Sequence, residues 1–207
     1  MARQLFTRRG ETFHIREVDL PALGPDDVRV RVTFAAPKHG TERHAMGGSA
    51  FDRKRWDPEL RLFLPRDPSE PAPEPPAERG MGNMVVGIVE AVGTASTAFA
   101  PGDAVYGYGP IRDTHQASEA KWRPLGDLAP EDAVCVDPAH VAFVAVRDGN
   151  LRIGDTAAVY GLGAIGLMAV RIARLSGARR VYAVDPYPVR REAARRLGAD
   201  AAFDPSS

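Results

Sequence analysis

Only one cysteine, Cys135, occurs in 207 residues. A single thiol excludes an internal disulfide, and in its apolar stretch it reads as a small core residue. An excess of either charge is also missing. The 27 basic and 27 acidic side chains leave a formal net charge of zero, so no bulk field draws the chain to nucleic acid or to a membrane surface. No apolar run approaches the length of a membrane span. Residues 1–13 are charged and lack the apolar centre of a signal peptide. The expectation is a soluble, cytoplasmic protein whose partners are small molecules. Hydrophobic content of 44% with 26% charge is ordinary for a globular chain, and this length allows one or two domains. There are no internal repeats.

What the chain does have is glycine in one informative arrangement. Val159-Tyr160-Gly161-Leu162-Gly163-Ala164-Ile165-Gly166 is followed by Val181-Tyr182-Ala183-Val184-Asp185. The order reads as a buried strand, a glycine turn, a helix, a second strand and a carboxylate, which is the dinucleotide-binding fingerprint. Gly161 permits the tight turn. Gly163 lacks the Cβ that would keep a pyrophosphate off the backbone, and Gly166 lets the helix lie close on the strand. The helix start, with Ala164 and Ile165 in it, offers unpaired N–H groups and a positive dipole end. Asp185 stands 19 residues after Gly166, where a carboxylate accepts ribose hydroxyls.

The flanks agree. Residues 156–160 form an apolar run after Gly154-Asp155, and Ile165, Met168, Ala169 and Ile172 recur at helical spacing. Ser176-Gly177 closes that helix. Pro188 suits the first turn of the next helix and Gly198 its stop; residues 201–203 suit a third strand. Two other readings of the motif are a βαβ unit whose glycines serve packing alone and a methyltransferase with a similar loop.

Upstream the pattern changes to β. Residues 27–34 alternate, with Val28, Val30, Val32 and Phe34 on one face and Arg29, Arg31 and Thr33 on the other. Residues 85–92 form another strand candidate with Gly87 as a bulge, and Phe99-Ala100-Pro101-Gly102-Asp103 is a turn into a strand at 104–106. Short strands punctuated by turns suggest a barrel or sandwich. Six prolines between positions 65 and 76 predict an exposed, extended loop. Residues 139–147 read as a short helix bridging into the nucleotide unit.

Three segments carry a resemblance: Leu23-Gly24-Pro25-Asp26-Asp27-Val28-Arg29-Val30; Val86-Gly87-Ile88-Val89-Glu90-Ala91-Val92-Gly93 with Phe99-Ala100-Pro101-Gly102-Asp103-Ala104-Val105; and Ile153-Gly154-Asp155-Thr156-Ala157-Ala158-Val159-Tyr160 running into the glycine motif. In order and spacing the chain resembles the medium-chain dehydrogenase/reductase superfamily, the relatives of zinc alcohol and polyol dehydrogenases, over nearly its whole length. A methyltransferase would not show these segments. The resemblance implies a mixed fold class: a β-rich GroES-like substrate domain over residues 1–148, then a partial α/β Rossmann domain over 149–207 for a nicotinamide cofactor.

The departures from that family are specific. Its zinc-dependent members take a first ligand from Gly-x-Cys-Gly-Thr-Asp, where this chain has Pro37-Lys38-His39-Gly40-Thr41-Glu42. Their Gly-His-Glu corresponds to Gly82-Asn83-Met84, and their third ligand position to Asp137 before Pro138. His39, Asn83 and Asp137 are weak metal candidates, poor for Zn²⁺, which favours thiolate and imidazole. No zinc is therefore expected, and hydrogen-bond donors must polarise the substrate carbonyl. The resemblance makes Thr41 the proton-relay hydroxyl, with His39 and Lys38 as nearby donors.

Asp185 favours NAD over NADP because it would repel a 2′-phosphate. Arg190 matches a basic residue of the family beside the adenosine ribose. Arg190 and Arg191 would begin to tolerate NADP, although these arginines, with Arg195 and Arg196, equally suit a solvated helix face. The resemblance places His140 near the nicotinamide. Asp113, Thr114 and His115 are cleft candidates, while Trp56 and Trp122 read as packing anchors. The nucleotide unit holds strands 3, 2 and 1 of the sheet order 3-2-1-4-5-6, so the expectation is the N-terminal part of a longer dehydrogenase. Its strand 1 presents a free edge at which copies could associate. The expected function is NAD(P)-dependent, alcohol/polyol dehydrogenase-like hydride transfer. The alternative is a non-catalytic fragment, a nucleotide half-site. The sequence does not name the substrate.

Overall fold

The computed structural model describes residues 1–8, 13–38, 40, 42, 53–67, 69 and 78–206. They fall into two compact units, Met1–Val134 and Cys135–Ser207, so the bridging helix belongs to the second.

The first unit is built from antiparallel strands. β1 (Ala2–Thr7), β2 (His14–Val18) and β6 (Arg79–Gly80) form one sheet in the order β2-β1-β6. β3 (Asp27–Ala36), β7 (Met84–Val92), β8 (Ala104–Tyr108), β9 (Thr114–Ser118) and β10 (Trp122–Pro124) form a second in the order β10-β8-β7-β3-β9. A bridge between Gln4 and Arg112, with the Leu5 amide donating to Ile111 at 2.9 Å, joins the two. β4 (Lys54–Asp57) and β5 (Leu62–Pro65) make a separate hairpin, and α1 (Pro130–Ala133) is a single turn.

Valine supplies the core of the five-stranded sheet: Val28, Val30, Val85, Val89 and Val105 pack with Trp122. These β-branched side chains fit a pleated, half-buried surface. The alternation expected for residues 27–34 holds only halfway. Val28 and Val30 are fully buried, yet Phe34 is 37% exposed and Ala35 packs on the core instead. The cause is a register irregularity between Val32 and Phe34 opposite Gly87, since one inserted residue sends each following side chain to the other face. The extra residue opposite Gly87 is thus Thr33 on β3, and a second irregularity, between Arg29 and Val30, leaves Glu90 as the extra residue on β7. Gly87 itself is needed for strand approach, because a Cβ there would lie 2.6 Å from a Val30 methyl. The turn before β8 forms as expected, with the Ala100 amide donating to Asp103 at 2.8 Å. Most of the proline-rich loop lies outside the described residues.

The second unit contains α2 (Val136–Asp148), β11 (Thr156–Tyr160), α3 (Ala164–Leu175), β12 (Arg180–Val184), α4 (Pro188–Arg196) and β13 (Ala201–Phe203). The three strands pair in parallel in the order β11-β12-β13, with a helix between each consecutive pair. Leu162, Val170, Ala173, Val181, Ala183 and Ala194 form its core. α2 begins three residues before the expected start, because Pro138 falls in its first turn, where the missing N–H costs nothing. β11 is not the fully buried strand expected: Thr156, Ala158 and Tyr160 are exposed, Tyr160 at 78%. As an edge strand it is covered on one face only. Among the described residues no helix is long and apolar enough to cross a membrane.

Candidate functional site

The glycine loop joins β11 to α3. Gly161 has φ +86°, a left-handed conformation that a side chain would strain, and its amide donates to the Val184 carbonyl at 2.8 Å. Gly163 is the residue before α3, and a Cβ built on it meets nothing within 4 Å. The space in front of the helix start is therefore open. No side chain caps that start, which leaves the amides of Ala164, Ile165 and Gly166 aimed forward. Gly166 is the opposite case. A Cβ there would overlap the Gly161 carbonyl oxygen and lie 2.9 Å from its carbon, so this glycine closes the loop down onto the helix.

Asp185 follows β12 and is 2% exposed. Its Oδ2 accepts the Leu162 amide at 2.8 Å, and its Oδ1 accepts the Tyr187 amide at 2.8 Å. Burial pushes the carboxyl pKa up. Those two backbone donors and Arg190, whose NH1 lies 3.5 Å from Oδ2, outweigh it and hold the group below the usual carboxylate range. The carboxylate thus belongs to the glycine loop before any ligand arrives, with a second lone pair left on Oδ1, while Oδ2 is shared by Leu162 and Arg190. Arg190 stacks on Tyr187, with Cζ 4.8 Å from the ring centroid. Arg191 is committed elsewhere: its NH1 donates to the carbonyls of Asp185 and Pro186 at 2.7 and 2.9 Å and to Asp204 at 2.9 Å. Both readings given for it, tolerance of NADP and a solvated helix face, assumed a free guanidinium, whereas this one is paired within the chain.

In the first unit, His39 and Thr41 lie outside the described residues. Asn83 is half-buried; its amide donates to Ala36 and its carbonyl accepts from Gly109, both at 3.0 Å. Asp137 is buried near the start of α2, in the other unit. Among the described residues no group of three or more His, Cys, Asp or Glu side chains could hold a metal ion. Of the described residues at the expected positions, Asn83 offers a carboxamide, a poor Zn²⁺ donor, and Asp137 a carboxylate, an ordinary one.

Other sequence candidates are accounted for by packing. His115 is buried, its ring nitrogen Nε2 pairs with the Pro110 carbonyl at 2.9 Å, and its ring stands edge-on to Trp122 at 6.1 Å. Burial holds its pKa below the ordinary value. Asp113 pairs with Arg3 at 3.0 Å. Trp122 is the core anchor expected. Trp56 is 51% exposed and touches Phe63 across the hairpin at 5.0 Å, so it anchors little beyond that pair. His140 is exposed on α2. Sequence reasoning missed Glu42, a buried carboxylate whose Oε1 accepts the Gly82 amide. Its sequence signal was the acidic residue that stands at the last position of the Gly-x-Cys-Gly-Thr-Asp motif.

A family of zinc-binding dehydrogenases matches residues 164–207. D-guloside 3-dehydrogenase of Escherichia coli K12 is 40% identical over 189 residues, covering 89% of this chain and 54% of that protein. The chain belongs to the medium-chain dehydrogenase/reductase superfamily. Solved superfamily structures agree with the fold. The alcohol dehydrogenase of Thermus sp. ATN1 superposes with a TM-score of 0.71 at 26% identity, over 99% of this chain and 63% of that one. The 2R,3R-butanediol dehydrogenase of Bacillus subtilis gives 0.75 at 24% identity, over 100% and 64%. The chain spans about half the length of the curated relative it matches at 40% identity.

Proposed function

We propose that this medium-chain superfamily chain binds a nicotinamide dinucleotide and serves hydride transfer to or from an alcohol or carbonyl carbon of a polyol-type small molecule. The observation that carries the reading is the open space before Gly163 combined with a carboxylate already fixed to Leu162. A Cβ would fill that cradle, so the residues present fit a diphosphate. The amides of residues 163–166 would hold it, and Asp185 with Arg190 would face the adenosine ribose. The bound cofactor would supply the hydride acceptor or donor.

NAD is the proposed cofactor. The anionic Asp185 opposes a 2′-phosphate, and Arg190 is already engaged with Asp185 and Tyr187. On the substrate side, Thr41 is proposed to shuttle the proton, with His39 as a donor to the substrate oxygen; no step is assigned to a metal. Copies associating at the β11 edge are part of the same proposal. The runner-up is a nucleotide half-site without turnover, which the exposed β11 edge favours.

Titration with NADH and with AMP tests both. Tight NADH binding with turnover supports the oxidoreductase. Weak binding of both ligands with equal affinity would leave the half-site reading in its place.

A further inference from the structure

Helix α4 carries four arginines, Arg190, Arg191, Arg195 and Arg196, and one acid of its own, Glu192. Each of these cations has a carboxylate. Arg195 and Arg196 lie 3.5 and 3.8 Å from Glu192. Arg190 lies 3.5 Å from Asp185. Arg191 takes its partner from the far side of the helix in sequence: Asp204, just after β13, at 2.9 Å.

Arg191 is the cation with a bearing on cofactor choice. Its NH1 also donates to the carbonyls of Asp185 and Pro186 at 2.7 and 2.9 Å. The guanidinium therefore lies against the main chain of the residue whose side chain faces the ribose in the reading above. The two side chains are 16% and 34% exposed, so water screens the pair only in part. Asp204 is held as an anion. The Ser206 amide, donating to Oδ1 at 3.0 Å, and the Arg191 charge set its pKa below the usual carboxylate range, against the opposing effect of burial. A guanidinium beside the ribose turn is the group that a 2′-phosphate would select, by charge and by its planar fork of donors. Paired with Asp204, it adds no net charge there.

We infer that Asp204 is a specificity-determining residue: by neutralising Arg191 beside the Asp185–Tyr187 turn, it withholds a cation from a 2′-phosphate and so strengthens the preference for NADH over NADPH. The inference rests on the dinucleotide reading above. It adds to Asp185 a second carboxylate, which acts through Arg191 without touching the cofactor.

The test uses the full chain with Asp204→Asn, Arg191→Gln and the double variant. The readout is the ratio of NADPH to NADH affinity, from fluorescence titrations at low and high salt. Asparagine keeps an acceptor for Arg191 and removes only the charge, so the turn retains its hydrogen bonds. In Asp204→Asn the ratio rises about tenfold at low salt, the scale of one partly screened charge interaction. The rise fades between about 0.01 M and about 1 M salt, as the Debye length shrinks from about 30 Å to about 3 Å. In the double variant the ratio does not exceed the wild-type value. A purely structural role for Asp204 would lower both affinities together and leave the ratio in place.

An unmoved ratio in Asp204→Asn, or NADPH binding still undetectable there, would overturn the inference. A double variant whose ratio rises as far as that of Asp204→Asn would overturn it too, because Asp204 would then act by its own charge and not through Arg191. If the unmodified chain binds neither cofactor, the dinucleotide reading fails and takes the inference with it. Should Asp204→Asn not fold, Asp204→Ser, which also removes the charge and leaves an acceptor, carries the same comparison.

Discussion

Asp185 Oδ2 accepts the backbone amide of Leu162 at 2.8 Å, across 23 residues of sequence. One hydrogen bond thereby fixes the end of β12 to the middle of the glycine loop. The carboxylate that discriminates the adenosine ribose in the reading above is first a part of the loop it serves.

Removing that carboxylate therefore costs stability as well as affinity. Asp185→Ala leaves the amides of Leu162 and Tyr187 without their acceptors and should destabilise the chain by about 3 kcal/mol, from the cost of buried unsatisfied donors. Asp185→Asn keeps one acceptor oxygen and should lose about half as much. Urea midpoints check the order.

The same group gives a pH dependence of known sign. Its folded pKa lies below the unfolded value, so its contribution is complete above about pH 4, the unfolded carboxyl value, and disappears as pH falls through the lower folded value. Wild-type and Asp185→Asn unfolding free energies should converge as pH drops toward about 2.

The two loop glycines should respond in opposite ways. Gly163→Val points into open space, so the melting temperature should move by less than about 3 °C while NADH binding falls at least about tenfold. Gly166→Ala collides with the Gly161 backbone and should destabilise by roughly 2 kcal/mol or more, as overpacking does. Thermal melts with NADH titration separate the two.

His115 predicts a separate acid sensitivity. Burial lowers its pKa, the nearby Arg112 charge adds to that, and the Pro110 carbonyl and Asp113 oppose it. The folded chain therefore resists protonation. Stability is retained above about pH 6.5, the unfolded histidine value, and declines below it until the folded value is passed. His115→Gln should flatten that decline, measured as urea midpoints between about pH 7 and about pH 5.

Much of this architecture was legible where one local rule sufficed. The glycine turn, α3 and the two strands flanking it follow from spacing and punctuation alone, as does the buried half of β3. Phe34 was misplaced because the bulge that turns it outward is set by pairing with β7, not by its own sequence. β1 and β2 went unread because Arg3, Gln4, His14 and Arg16 interrupt their apolar residues, and only pairing with each other organises them. The clamp from Glu42 to Gly82 spans 40 residues, and no periodicity encodes a contact of that range. Asp185 was singled out by its spacing, but its engagement with Leu162 was not, because a motif reports residue types and not which lone pairs are already taken.

Gly166 packed on the Gly161 carbonyl confines the shape of the glycine loop. Its ordering is completed while the chain folds, so capture of a dinucleotide there should be governed by encounter frequency, with no slow conformational phase preceding it.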